Sequence, residues 1–300
     1  MQYGIFLPPF GPCADLTTLA SLAADAEAAG WDGFFLWDDI TTGNPIPVAD
    51  PWIALAAIAL RTRTLRLGAL VTPLARRRPW KVARETATLD HLSQGRLIVG
   101  VGLGAGPVEF DHLGEESDPK VRAAMLDEGL AILTGLWSGE PFQHAGVHYH
   151  IRQAQFLPRP VQTPRIPIWV GGSWPLKAPF RRAARWDGVF PLGHNLGFTD
   201  MLSPEDIAAM LSFVQEQRAQ VGAPGLSNTP FDVVHAGISS GSDPEGDRAL
   251  AQAYAQVGVT WWLEHLVPDR WGSWTDWPLE AMRQRIHQGP PRTGAANRAP

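Results

Sequence analysis

The chain of 300 residues holds a single cysteine, Cys13. One thiol builds neither a disulfide framework nor a thiolate metal cluster, so both are excluded as sources of stability. Lysine is almost as scarce, at three of the 25 basic residues. The net charge is −5 and the charges are scattered, which leaves no basic stripe for a nucleic acid. Long apolar runs are missing too, and none approaches the ~20 residues that span a bilayer. The opening Met1–Leu7 lacks the basic segment and long apolar core of a signal peptide. A cytoplasmic protein with neither nucleic-acid nor membrane partners is expected.

What is present is a repeated alternation of short apolar runs and longer helical patterns. The hydrophobic content of 45% over this length permits one large α/β barrel or two smaller domains. Candidate strands are Tyr3–Leu7, Gly33–Trp37, Leu65–Val71, Leu97–Val101, Pro167–Val170, Val189–Pro191, Asp232–Ile238 and Thr260–Glu264. Near-continuous apolar runs are what a parallel sheet covered on both faces demands. Asp15, Asp50-Pro51, Ser203-Pro204-Glu205 and Asp243-Pro244-Glu245 read as helix starts, with a side-chain cap and proline in the first turn. Eight strands each followed by a helix predict a single (β/α)8 TIM barrel over residues 1–287, with an open doubly wound sheet as the alternative. Two segments exceed the pattern: Pro107–Lys120 after strand four, and Phe142–Pro164, read as a hairpin before strand five. Residues 288–300, without periodicity, are expected to be a disordered tail.

In such a barrel chemistry sits where strands exit toward helices, and that geometry selects the candidates. Leu65–Glu109 is the most informative stretch: strand three leads to Arg76-Arg77-Arg78, and strand four empties into Gly102-Leu103-Gly104-Ala105-Gly106. No strand follows soon enough for a Rossmann fingerprint, so these glycines read as either a loop under a planar cofactor or a plain turn. Gly171-Gly172-Ser173 at the next exit offers N–H groups to an anion. The arginine triplet, Arg76 first, is either a solvated loop or the dock for an anionic tail. Asp38 and Asp39 are adjacent carboxylates at a barrel mouth; Asp38 reads as structural, and Asp39 as either a surface group or an acid/base. His144, His148 and His150 lie on an inserted hairpin without carboxylate or cysteine, and no metal is expected. Trp37, Trp174, His194, Glu264 and His265 lie at exits and are expected to line a substrate pocket roofed by tryptophans.

The segments Phe34-Phe35-Leu36-Trp37-Asp38, Thr72-Pro73-Leu74-Ala75-Arg76-Arg77-Arg78-Pro79-Trp80, Leu89–Arg96, Gly100-Val101-Gly102-Leu103-Gly104, Pro158–Gln162, Trp169-Val170-Gly171-Gly172 and Arg182–Gly188 resemble the luciferase-like monooxygenase family across nearly the whole chain. The resemblance implies a barrel oxidoreductase that binds coenzyme F420 or FMN and acts on a small organic substrate. A non-prolyl cis peptide is implied at Ala69-Leu70 or Leu70-Val71, against the cofactor ring. Asp38, Ala69, Leu70, Val71, Arg76, Gly104, Ala105, Gly171, Gly172 and Ser173 are the implied cofactor contacts, with Asp39 and Glu109 as catalytic candidates. Many deazaflavin members carry His where this chain has Asp39, so a cofactor-binding barrel with little catalysis stays open, as does an FMN-dependent monooxygenase. Basic residues for a sugar phosphate are not evident. A separate reductase for the cofactor and a homodimer are further expectations.

Overall fold

Residue parity organises the computed structural model, which describes residues 1–221, 230–272 and 274–292. Along β11 (Trp261–His265), Trp261 and Leu263 point into a barrel while Trp262 faces the surrounding helices. The same alternation runs along β1 (Gln2–Leu7), with Phe6 inside and Ile5 and Leu7 outside. Successive side chains of a strand take opposite faces, so each strand feeds two cores. The inner core includes Phe6, Phe35, Leu70, Ile98, Trp169, Phe190, Trp261 and Leu263. The outer one packs the sheet on the helices.

The parallel strands close in the order β3 (Arg66–Ala69), β2 (Gly33–Leu36), β1, β11, β10 (Asp232–Gly237), β9 (Gly188–Gly193), β8 (Ile168–Trp174), β5 (Val99–Gly102) and β4 (Thr72–Pro73). β3 and β4 are two pieces of one barrel position, and a bridge from Leu67 to Leu97 completes the ring. The fold is therefore the expected α/β barrel.

Among the described residues eight α-helices intervene: α1 (Leu16–Ala28), α2 (Pro51–Arg61), α3 (Pro79–Leu92), α4 (Pro119–Trp137), α5 (Lys177–Ala183), α6 (Pro204–Val221), α7 (Pro244–Gln256) and α8 (Leu279–His287). The Asp15, Asp50 and Asp243 carboxylates accept from first-turn amides, so the local cap signals operate as the sequence reading supposed.

The long segment after β5 forms two 3-10 turns, Pro107–Glu109 and Asp111–Leu113. The next insertion is the antiparallel hairpin β6 (Phe142–Ala145) and β7 (His150–Ala154). Glu128 of α4 holds it, accepting from the amides of Val147, His148 and Tyr149, with His144 alongside at 3.3 Å. The start of the supposed tail is fastened down: Arg292 pairs with Asp32 at 2.6 Å, and Tyr3 donates to the Pro291 carbonyl. Residues 293–300 lie outside the described residues.

Candidate active site

At its exit strand three breaks. β3 ends at Ala69, β4 begins at Thr72, and the intervening Leu70-Val71 peptide is cis, the second of the two expected positions. Leu70 and Val71 turn their side chains into the barrel, and three glycines make room for them. A Cβ at Gly100 would stand 2.3 Å from Leu70 Cδ2; at Gly102 or Gly171 it would stand 2.4 or 2.5 Å from a Val71 methyl. These glycines therefore accommodate the bulge of strand three. Gly172 has a different duty, since a Cβ there would meet Pro179 of α5 at 2.1 Å. Ala69 faces the outer core and lies away from the mouth.

Gly104 and Gly106 continue this glycine-lined half of the mouth with φ of +76° and +61°. A Cβ at Gly104 would touch Phe110 and Pro73, whereas one at Gly106 would meet open space. Ala105 is exposed between them. Ser173 has the same parity as Trp169 and Gly171 on β8, and its hydroxyl makes no hydrogen bond among the described residues.

Four charged side chains meet beside these exits. The Asp38 carboxylate accepts from Thr72 Oγ1 (2.7 Å), Arg77 Nη2 (2.8 Å), Arg76 Nη2 (3.1 Å) and Trp52 Nε1 (3.2 Å). Its two oxygens are thus fixed by four donors. Arg76 turns inward and spans two acids, its Nη1 lying 2.8 Å from Glu109 Oε1. The guanidinium expected to meet an anionic cofactor tail is thus neutralised by the protein's own carboxylates. Arg78 alone of the triplet lies outward, over the Trp80 ring at 5.9 Å.

Glu109 Oε1 also accepts from the Ile40 amide at 2.6 Å, while Oε2 is buried without a partner among the described residues. Burial pushes the Glu109 carboxyl up, opposed by Ile40 and Arg76. Asp39 makes no hydrogen bond among the described residues. Burial, then the charges of Glu109 and Asp38, push it up to about 7 against the pull of Arg76. Asp39 and Glu109 are thus two carboxyls of the mouth that burial shifts upward.

Across the mouth, over β2, β1 and β11, aromatic rings gather. His265 stacks on Phe6 (centroids 5.0 Å apart, 21° between planes) and lies 5.6 Å from Trp37. Phe10, Phe198 and Trp274 pack on Trp37 at 6.0, 5.2 and 6.2 Å. Trp37 Nε1 and His265 Nε2 are both buried without partners among the described residues. Burial first, then Arg270, holds His265 down to about 3, so the imidazole is neutral.

Two of the expected pocket residues stand elsewhere. Glu264 has the parity of Trp262, so it points outward, fully buried. It accepts there from Arg270 (2.7 Å), Ser239 Oγ (2.8 Å), Trp262 Nε1 (3.1 Å) and Arg285 (3.3 Å). Trp174 likewise faces the helices, packing edge-on to Phe180 under the Lys177 ammonium. His194 is exposed, with its amide bonded to the Trp174 carbonyl. Conversely, sequence reasoning missed Phe6 and Phe198. Phe6 was readable from the alternation of β1, but Phe198 sits in an irregular loop with no periodic signal.

A barrel with a broken third strand, a glycine-lined arc and an acidic pair fits several enzyme families. The sequence profile of the luciferase-like monooxygenases matches residues 1–291. The chain belongs to that family. Among its relatives, the F420-dependent glucose-6-phosphate dehydrogenase of Nakamurella multipartita is 33% identical over 171 residues, covering 55% of this chain and 48% of that one. The 4-hydroxyprotoasukamycin monooxygenase of Streptomyces nodosus subsp. asukaensis is 30% identical over 230 residues, 74% of this chain and 60% of the relative. The match thus spans about half the length of these curated relatives. In fold, this luciferase-like chain superposes on the coenzyme F420 dependent tetrahydromethanopterin reductase of Methanopyrus kandleri with a TM-score of 0.74, covering 96% of this chain and 98% of that one at 17% identity.

Proposed function

We propose that this luciferase-like protein is an oxidoreductase that uses coenzyme F420 to exchange a hydride with a small organic substrate. The observation that carries the reading is the Asp39–Glu109 pair at the barrel mouth, one carboxyl pushed up to about 7 and the other raised. Hydride exchange at a carbonyl or alcohol needs a group that gives or takes a proton near neutral pH, and a buried carboxyl beside a second acid meets that need. Bound in the glycine-lined arc, the deazaflavin would supply the hydride chemistry. Gly106, with open space in place of a Cβ, and the unpartnered Glu109 Oε2 are compatible with a ring held there. Arg76 would hold Glu109 in place, and Asp39 would hold the mobile proton.

A second reading within the family is an FMN-dependent monooxygenase. Similarity to a monooxygenase over 74% of the chain favours it, and the inward turn of Arg76 removes one argument for a long anionic coenzyme tail. Fluorescence titration with F420 and FMN, each oxidised and reduced, separates the two. Micromolar binding of the deazaflavin alone supports the first reading; tighter binding of FMN supports the second. A homodimer and a separate reductase belong to either proposal.

Asp39→His addresses the degenerate-site alternative. A large gain in turnover at unchanged cofactor affinity would mark the natural site as crippled; a loss would show that Asp39 is used.

A further inference from the structure

The mouth has two unlike arcs. Glycines and the Leu70-Val71 bulge line the one over β4, β5 and β8, while the opposite arc is a cluster of rings around Trp37 and His265. That cluster carries two polar atoms, Trp37 Nε1 and His265 Nε2, that are buried and without partners among the described residues. Such groups are rare because an unmet buried hydrogen bond costs about 1–3 kcal/mol.

Their chemistry is specified. An indole N–H only donates. Burial keeps the His265 ring neutral, so one ring nitrogen carries the proton and the other accepts; with the proton on Nδ1, Nε2 is the acceptor. One donor and one acceptor on rings 5.6 Å apart match a hydroxyl, which accepts one hydrogen bond and donates another.

We propose that the aromatic arc is the substrate site and takes an uncharged, ring-sized apolar molecule bearing one hydroxyl, which accepts from Trp37 and donates to His265. The assignment rests on the glycine-lined arc belonging to the cofactor. An anionic substrate would find no free cation here among the described residues, because Arg270, the arginine next to His265, is spent on Glu264. A cationic one would be attracted to the ring faces but would leave the Trp37 N–H unmet. Phe198, 52% exposed over Trp37, is the ring that must move for entry.

The test uses four probes of one shape: benzyl alcohol, toluene, benzoate and benzyltrimethylammonium. Binding is followed by calorimetry and by the indole N–H resonance of Trp37, with and without F420. Benzyl alcohol should bind about tenfold tighter than toluene, as two modest hydrogen bonds allow. It should shift the Trp37 N–H downfield, while the charged probes bind weakly or not at all. Trp37→Phe keeps a ring and removes the donor, so it should bring the alcohol and the hydrocarbon to within about threefold of each other. Equal binding of toluene, preference for either ion, or an unmoved Trp37 resonance overturns the assignment, and the last is read on the unsubstituted protein. The preferred alcohol pattern without any F420 binding would sink the cofactor reading alone. F420 binding without the alcohol pattern would sink the substrate assignment alone.

Discussion

Arg76 and Glu109 face each other at 2.8 Å with the guanidinium 3% and the carboxylate 5% exposed, and the same arginine reaches the Asp38 carboxylate at 3.1 Å. One cation thus serves two buried acids from two different strand exits. Replacing it by an apolar residue of similar length leaves the Glu109 carboxylate without a cation and Asp38 with Arg77 alone. Arg76→Met should lower unfolding stability by about 3–5 kcal/mol, the usual consequence of stranding a buried charge. Urea unfolding at pH 7 measures it, and a change below about 1 kcal/mol would mean that water already solvates the pair.

Asp39 carries the opposite liability. Its folded-state carboxyl titrates at about 7 against an ordinary 3.8, so the fold prefers the neutral acid. That preference is fully present below about pH 4 and is lost as pH rises through 7. Asp39→Asn should therefore match the natural protein at pH 4 and exceed it by on the order of 2–4 kcal/mol at pH 8. Thermal melts across that range would show the two curves diverging; parallel curves would mean an unshifted Asp39.

His235 pulls the pH profile the other way. Only 1% exposed and stacked on Tyr254 at 4.1 Å, it is held by burial down to about 3. The unfolded chain binds a proton near 6.5 where the folded one does not, so stability falls as pH drops from about 6.5 toward 3. His235→Phe should flatten that acid limb while leaving melts at pH 8 within about 1.5 kcal/mol of the natural protein. An unchanged limb would place the acid sensitivity elsewhere, with His265 the next candidate.

Gly102→Ala places a methyl 2.4 Å from Val71 Cγ2, inside a barrel wall with nothing flexible to yield. Overpacking of this kind costs about 1–3 kcal/mol. Gly106→Ala has open space for the methyl but φ of +61° and ψ of 160°, a backbone region almost reserved for glycine, so it should cost about 1–3 kcal/mol by strain alone. Denaturant midpoints for the pair test both, and a loss below about 0.5 kcal/mol at either site would contradict the geometry described.

Much of the fold was legible because each barrel strand is a short apolar run and several helices announce their start with Asp and Pro. The site was less so, for two physical reasons. Glu264 and His265 are neighbours in sequence, yet strand alternation sends one into a buried arginine cluster and the other into the mouth. No count of charges or exits distinguishes them without the register that Trp261 and Leu263 fix. The ion pairs of Arg76 were not legible because its partners, Asp38 and Glu109, come from other exits, and only the closed ring brings the three together. The glycines after strand four were read as a loop under a planar cofactor or a plain turn, and the side chains that Gly100 and Gly102 accommodate, Leu70 and Val71, come from strand three.

β1 is flanked by β2 on one edge and β11 on the other, pairing Gln2 with Trp261 and Phe6 with His265. During synthesis β1 therefore waits for β11, more than 250 residues later in the chain. Until Trp261–His265 emerges, one edge of β1 has no partner, and the apolar side chains of Tyr3–Leu7 have only part of their eventual cover. Contacts that span more than 250 residues are slow to form. Closure of the ring is thus a late and concerted event in synthesis, and the nascent chain is most prone to aggregation just before it.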